Sequence, residues 1–278
     1  MFQSLLDSVT VSLENQDPAI QLNGCLLTFR KPDFLTSISY EGILEIQSMG
    51  PKVAEELDLL RQELLDMAAR VEQNIDDAIE ALKSRDRDAL QKVIQNDTDV
   101  DLAELQVDES CVSLLALRQP LARDLRFIVT TLKIVKDIER VGDIAKNISK
   151  HGLGILEEKP LPFPGELTRM AEISKKLLRI ALDAFVREDV DLAYQVIGGD
   201  DEVDLLHKEN VRCFLDMMVA DPSIIGPMTQ YLSVNKFLER IGDHSSNIAA
   251  MVVYMIRGRD VRHPKKQRLL NQTKQDSG

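Results

Sequence analysis

The sequence predicts an all-α protein built as two similar three-helix bundles in tandem. Three observations carry that prediction. From about residue 54 to 258, apolar side chains recur at three-and-four spacing, the period of an amphipathic helix. The stretch DIERVGDIAKNI at 137–148 returns as FLERIGDHSSNI at 237–248. Between them, the Gly- and Pro-rich HGLGILEEKPLPFPGE breaks the helical pattern.

Residues 1–50 form an N-terminal extension outside the repeat; IQLNGCLLTFRKPDFL there has short β-like runs with no partner run in the rest of the chain. The first bundle takes 51–155. KVAEELDLLRQELLDMAARVEQNIDDAIEALKS reads as one long helix rich in good helix formers. RDALQKVIQNDTDVDLAELQVDESCVSLLALRQ reads as a second, ending before Pro120. Pro120 suits the first turn of the third helix, where its missing N–H costs nothing, and that helix runs to about His151. Residues 156–164 are a linker. The second bundle, 165–260, repeats the cycle with LTRMAEISKKLLRIALDAFVRE, then DVDLAYQVIGGDDEVDLLHKENVRCFLDMMVA, a turn through Pro222 and a last helix to about Ile256. Residues 261–278 are a polar tail, read as solvated. The duplication is wider than its signature: 81–101 lies over 184–204, an offset of 103 positions against 100 in the last helix of each half.

Composition bounds the function. The 278 residues are 44% hydrophobic and 29% charged, as in globular proteins. A net charge of −12 argues against nucleic-acid binding, which rests on clustered Lys and Arg. No apolar run approaches the roughly 20 residues that span a bilayer, and MFQSLLDSVTVSLENQD lacks the basic start and apolar stretch of a secretory signal. Cys25, Cys111 and Cys213 are odd in number and far apart, like buried thiols of a reduced compartment. The expectation is a soluble, acidic, cytoplasmic protein.

The acids are placed by the repeat. Glu139 and Asp143 lie four apart and share one helix face, as do Asp97 and Asp101 on the preceding helix. Folding back about Pro120 puts Asp101 level with Glu139 and Asp97 level with Asp143. Folding back at 221–223 does the same for Asp204 with Glu239 and Asp200 with Asp243. Four carboxylates within reach take up protons, pair with basic groups or hold a cation. An oxygen-only set suits hard or borderline cations such as Mg, Mn or Fe. Ion pairing competes, through Arg140 and Arg240 after each glutamate and through Arg123 and Arg126. Arg140, however, points about 100° round the helix from Glu139, so it is not expected to neutralise the same face. Gly142 and Gly242 are accounted for by close helix approach or, more sharply, by room left beside the acids. Asn147 and Asn247 continue the faces but meet no carboxylate in this register.

At these residues the sequence resembles the PhoU family of phosphate-signalling proteins. The resemblance covers roughly 55–263 and rests on VEQNIDDAI (71–79), NDTDVD (96–101), RQPLARDLRFI (118–128), both ER(V/I)GD segments and RGRDVRHP. It implies two three-helix bundles whose E(D)xxxD motifs carry metal: Asp97, Asp101, Glu139 and Asp143 at one site, and Asp200, Asp204, Glu239 and Asp243 at the other, with iron, manganese, magnesium or zinc as candidate ions. It implies a cytoplasmic negative regulator of phosphate uptake and of the phosphate-starvation response. Its partners would be the ATPase subunit of a high-affinity phosphate transporter and a phosphate-sensing histidine kinase. Long helices with flat apolar seams point to a homodimer.

Two other classes compete. A di-metal carboxylate oxidase needs paired Glu-x-x-His elements, and only His207, three residues after Asp204, offers anything similar. Neither a Ser-His-Asp set nor a Gly-rich phosphate loop appears, so no enzyme is expected. A metal-free helical adaptor would use the acids for solubility or for docking a basic partner.

Overall fold

The computed structural model describes residues 10–14, 17–22, 25–28, 40–118, 120, 122–258 and 261. The chain divides into two compact units, Met1–Glu55 and Glu56–Gly278. The first carries β1 (Thr10–Glu14), β2 (Asp17–Leu22) and β3 (Cys25–Thr28), an antiparallel sheet in that order. Thr10 stands opposite Gln21, and Ala19 opposite Thr28. The β-like run of the extension therefore does have a partner. It is TVSLE, whose alternation covers only 5 residues and so gives a weak periodic signal.

Among the described residues six α-helices follow: α1 (Tyr40–Ser84), α2 (Arg87–Arg118), α3 (Ala122–Glu157), α4 (Gly165–Arg187), α5 (Val190–Ala220) and α6 (Ile225–Arg257). A 3-10 turn at Pro222–Ile224 precedes α6. The fold class is all-α, two similar three-helix bundles in tandem. Two helices outrun their sequence bounds. α1 starts back at Tyr40, through good helix formers in YEGILEI. α3 continues past His151 and through Gly152 to Glu157. Gly152 is packed so closely that a Cβ there would come 3.0 Å from Leu90 and 3.2 Å from Leu82. Tertiary contact outweighs the low helix propensity of glycine at this position. The polar tail from 262 lies outside the described residues.

The duplication is visible in the backbone of the first turn of each bundle. Arg85 (φ 57) and Glu188 (φ 52) are the left-handed non-glycine residues that end α1 and α4. The next residue donates its N–H back to Ala81 in one repeat and to Ala184 in the other, each at 2.9 Å. Asp86 then accepts from the Ala89 N–H at 3.0 Å, and Asp189 from the Leu192 N–H at 3.1 Å, which starts α2 and α5 with the same side-chain cap.

The apolar seams close on one core. Leu64, Met67, Val71, Ile75 and Leu82 line the inner face of α1 at helical spacing, and Val93, Val100, Val107 and Cys111 that of α2. Each fully buried Leu or Ile contributes about 1.5–3 kcal/mol from burial. The core runs on into the second bundle, where Phe127 stacks on Phe185 at 5.4 Å, and α3 packs along α6. Burial, with the nearby Asp108 and Glu63 charges, pushes the Cys111 thiol up to about 12. Cys213 is exposed, against the expectation of buried thiols, because it lies on the outer face of α5.

Candidate functional site

In the first repeat, α2 carries Asp97 and Asp101 and α3 carries Glu139 and Asp143. Asp97 falls between Val93 and Val100 on the inward face of α2 and is only 4% exposed. Its partner is Lys146. The ammonium donates to Asp97 Oδ2 and lies 3.5 Å from Asp143 Oδ1. That hydrogen bond to Asp97, reinforced by the charges of Asp97 and Asp143, raises the lysine above its ordinary value. Asp97 and Asp143 thus meet through a shared cation. The Asp101 carboxyl is held above its ordinary range by partial desolvation and then by the charges of Asp97, Asp143 and Glu104. Glu139 is also raised, by desolvation first and then by Asp143 and Glu104.

Two expectations about the bases change. Arg140 does reach the acid face: its Nε lies 3.4 Å from Glu139 Oε2, and its Nη1 lies 3.4 Å from Asp143 Oδ2. A long, flexible side chain overcomes the 100° angular offset that its Cα position dictates. Arg123 and Arg126 do not serve the acids. Arg123 pairs with Glu188 at 2.7 Å, and Arg126 donates to the Met255 carbonyl at 3.1 Å.

In the second repeat, α5 carries Asp200 and Asp204 and α6 carries Glu239 and Asp243. Lys236 holds Glu239 at 2.6 Å, and Lys208 approaches Asp204 at 3.8 Å. The position equivalent to Lys146 is Ser246. Burial, followed by the charge of Asp243 and then those of Asp204 and Glu239, pushes the Asp200 carboxyl up to about 6. Asp243 is raised by desolvation and by Glu239 and Asp204. The four acids of this repeat therefore act on one another. Gly242 faces Asp200 directly: a Cβ there would stand 2.6 Å from Asp200 Oδ1. Beside Gly142, by contrast, the nearest atom is Val100 Cγ1 at 3.1 Å. Each explanation for the paired glycines thus holds, in a different repeat.

A divalent ion fits the two donor sets unequally. Among the described residues no group of three or more His, Cys, Asp or Glu side chains is arranged to hold a metal ion. The first set has an ammonium seated on Asp97 and Asp143, and a metal does not fit it as placed. In the second, Lys236 sits on Glu239, while among the described residues Asp200, repelled by Asp243, forms no ion pair and neither does Asp243; that pair of carboxylates is the part of the set whose donor chemistry a hard cation would relieve. Sequence reading missed Lys146, along with Lys136, which holds Glu104 at 2.6 Å and Asp108 at 2.9 Å. The signal was present: Lys146 is three residues after Asp143, on the same face, and Glu104 and Asp108 extend the acid row of α2. Asn247 does meet a carboxylate, donating to Asp137 at 3.4 Å, because α3 of the other repeat packs there. His244 contacts the same Asp137 oxygen at 2.8 Å.

The fold and these sites define a class of protein: a duplicated helical-bundle scaffold with a carboxylate-rich face in each repeat. The PhoU domain family model matches residues 64–151 and 167–252. The phosphate-specific transport system accessory protein PhoU homolog of Pseudomonas aeruginosa is 38% identical over 224 residues, 80% of this chain and 93% of that protein. The accessory protein PhoU of Escherichia coli is 34% identical over 208 residues, 75% of this chain and 86% of that one. The crystal structure of PhoU from Pseudomonas aeruginosa superposes with a TM-score of 0.70 at 38% identity, covering 74% of this chain and 99% of the other. That of the phosphate transport system regulatory protein PhoU from Streptococcus pneumoniae gives 0.71 at 29% identity, covering 75% and 99%. The chain belongs to the PhoU family. Its relatives are accessory and regulatory proteins rather than enzymes. Among the described residues no helix is long and apolar enough to cross a membrane.

Proposed function

We propose that the chain is a cytoplasmic negative regulator of phosphate uptake and of the phosphate-starvation response, coupling the ATPase of a high-affinity phosphate transporter to a sensor histidine kinase. The observation that supports this reading is similarity, along both repeats, to phosphate-specific transport system accessory proteins. The protein would act by presenting surfaces. The acidic faces suit basic partner segments, and exposed Leu102, Leu105 and Val112 on α2 offer an apolar face to a second copy in a homodimer. In bacteria deprived of their own accessory protein of this kind, the chain should restore repression of a starvation-response reporter in phosphate-rich medium. Unchanged derepression overturns the reading. A pull-down with the transporter ATPase, repeated with Glu139→Ala and Glu239→Ala, tests whether the acids gate that contact.

The same reading includes a metal ion, which Asp200, Asp204, Glu239 and Asp243 would hold in the second repeat. Bound there, an iron, manganese, magnesium or zinc ion would neutralise the repulsion between α5 and α6. Chelation tests this. Metal content and melting temperature should fall with EDTA. If both stay constant, the protein is a metal-free helical adaptor, a reading that the lysine-neutralised first repeat favours.

A further inference from the structure

The two repeats share their acids but differ in where the counter-charge sits. In the first, the Asp97 side chain is 6% exposed and that of Lys146 is 27% exposed, with the ammonium placed between Asp97 and Asp143. Beside Gly142 stands Val100 rather than an acid: a Cβ there would come 3.1 Å from Val100 Cγ1. In the second, Lys236 and Lys208 pair within their own helices with Glu239 and Asp204, position 246 is a serine, and among the described residues Asp200 and Asp243 form no ion pair; the space over Gly242 is filled by the Asp200 carboxylate itself.

We propose that Lys146 is the resident cation of the first repeat, standing where its carboxylates would otherwise hold a metal ion, so that the chain takes up metal through its second repeat alone. The second clause rests on the reading of the second repeat given above. A divalent ion entering the first set must displace an ammonium hydrogen-bonded to a buried carboxylate, or else bind beside a fixed positive charge; both oppose entry. The lysine performs the structural task of the ion. It neutralises the acid level between α2 and α3 and joins the two helices, without depending on metal supply.

The test is manganese stoichiometry on the full chain, stripped with chelator, reloaded with Mn2+, dialysed and assayed by elemental analysis. Lys146→Ser, which copies the second repeat into the first, should roughly double the bound manganese. Ser246→Lys, which leaves the first repeat untouched and so does not depend on the fold surviving loss of a buried pair, should abolish it. No gain in Lys146→Ser, or undiminished binding in Ser246→Lys, overturns the proposal. A wild-type chain that binds no manganese while Lys146→Ser gains it upholds the role of Lys146 and sinks only the reading of the second repeat.

Discussion

Superposed by their repeat, Lys146 of the first half meets Ser246 of the second, Val107 meets Asn210, and Val135 meets Asn235. The two valines are core. The two asparagines, equally buried, bond to each other at 2.8 Å, and Asn235 bonds onward to the His207 carbonyl at 3.1 Å. Glu104, which holds Lys136 in the first repeat, is replaced by that same His207. The first turn of each bundle, its helix cap and the heights of the acids are the same in both halves, whereas the groups that satisfy those acids are not. Duplication preserves the scaffold because backbone hydrogen bonds and apolar seams fix it. Charge balance is settled locally, by one or two side chains per repeat, and so each half can take a different solution.

Deleting the lysine that only the first repeat carries has the largest effect. Lys146→Met leaves Asp97 buried without its cation. Losing one member of such a pair costs about 3 kcal/mol, which lowers the melting temperature of a domain this size by about 6–12 °C. Ser246→Ala removes a small hydroxyl and should cost less than about 1 kcal/mol. Thermal melting followed by circular dichroism reads both. Equal losses would show that the two positions do the same task and that the asymmetry is only compositional.

A smaller effect separates the glycines. Gly242→Ala pushes a Cβ onto Asp200 Oδ1, whereas Gly142→Ala meets a methyl group at a distance that a few tenths of an ångström relieves. Against the roughly 1 kcal/mol that alanine returns in helix propensity, we expect Gly242→Ala to lose about 1–2 kcal/mol and Gly142→Ala to change stability by less than about 1 kcal/mol. In an Asp200→Ala background the loss at 242 should become a gain. Urea denaturation of the four variants checks this, and a cost at 242 that persists without Asp200 would assign the glycine to helix packing alone.

Much of this was legible in the sequence, for physical reasons. Periodicity and the breaks at Pro120, Pro222 and the mid-chain linker define the helices, because long amphipathic helices have few alternatives. The antiparallel register, counted from the turns, brings Asp97 to Asp143 and Asp200 to Asp243. What could not be read were contacts between elements distant in sequence. α3 runs on through Gly152 because Leu82 and Leu90 enclose it. Arg126 is drawn away to the end of α6. Asn247 finds Asp137 only because the bundles pack α3 against α6. The reach of Lys146 and Arg140 was hidden by reasoning from Cα directions, which misplaces long side chains by several ångströms.

A pH-dependent effect at Asp200 reports the state of the second repeat. Burial and the charge of Asp243 push the Asp200 carboxyl up to about 6 from an ordinary 3.8, so the folded protein holds this proton more tightly than the unfolded chain does. Between those values the native state binds more protons, and stability rises as pH falls. At pH 7 the ionised carboxylate is a burden, and Asp200→Asn should therefore stabilise metal-free protein by about 1 kcal/mol, allowing for solvent screening. The gain should fade as the pH falls through 6 toward 3.8. In the first repeat the sign is opposite: Asp97→Asn deprives Lys146 of its buried partner and destabilises at pH 7. The lysine's contribution is full below its ordinary 10.5 and is lost only as pH climbs past its raised value. Manganese inverts the result at Asp200 alone, because an ion selects the ionised carboxylate; with metal present Asp200→Asn turns from a gain into a loss. Melting curves from about pH 4 to 8, with EDTA and with excess Mn2+, read that inversion. An Asp200→Asn gain unaffected by manganese would mean that burial, not cation capture, accounts for this acid.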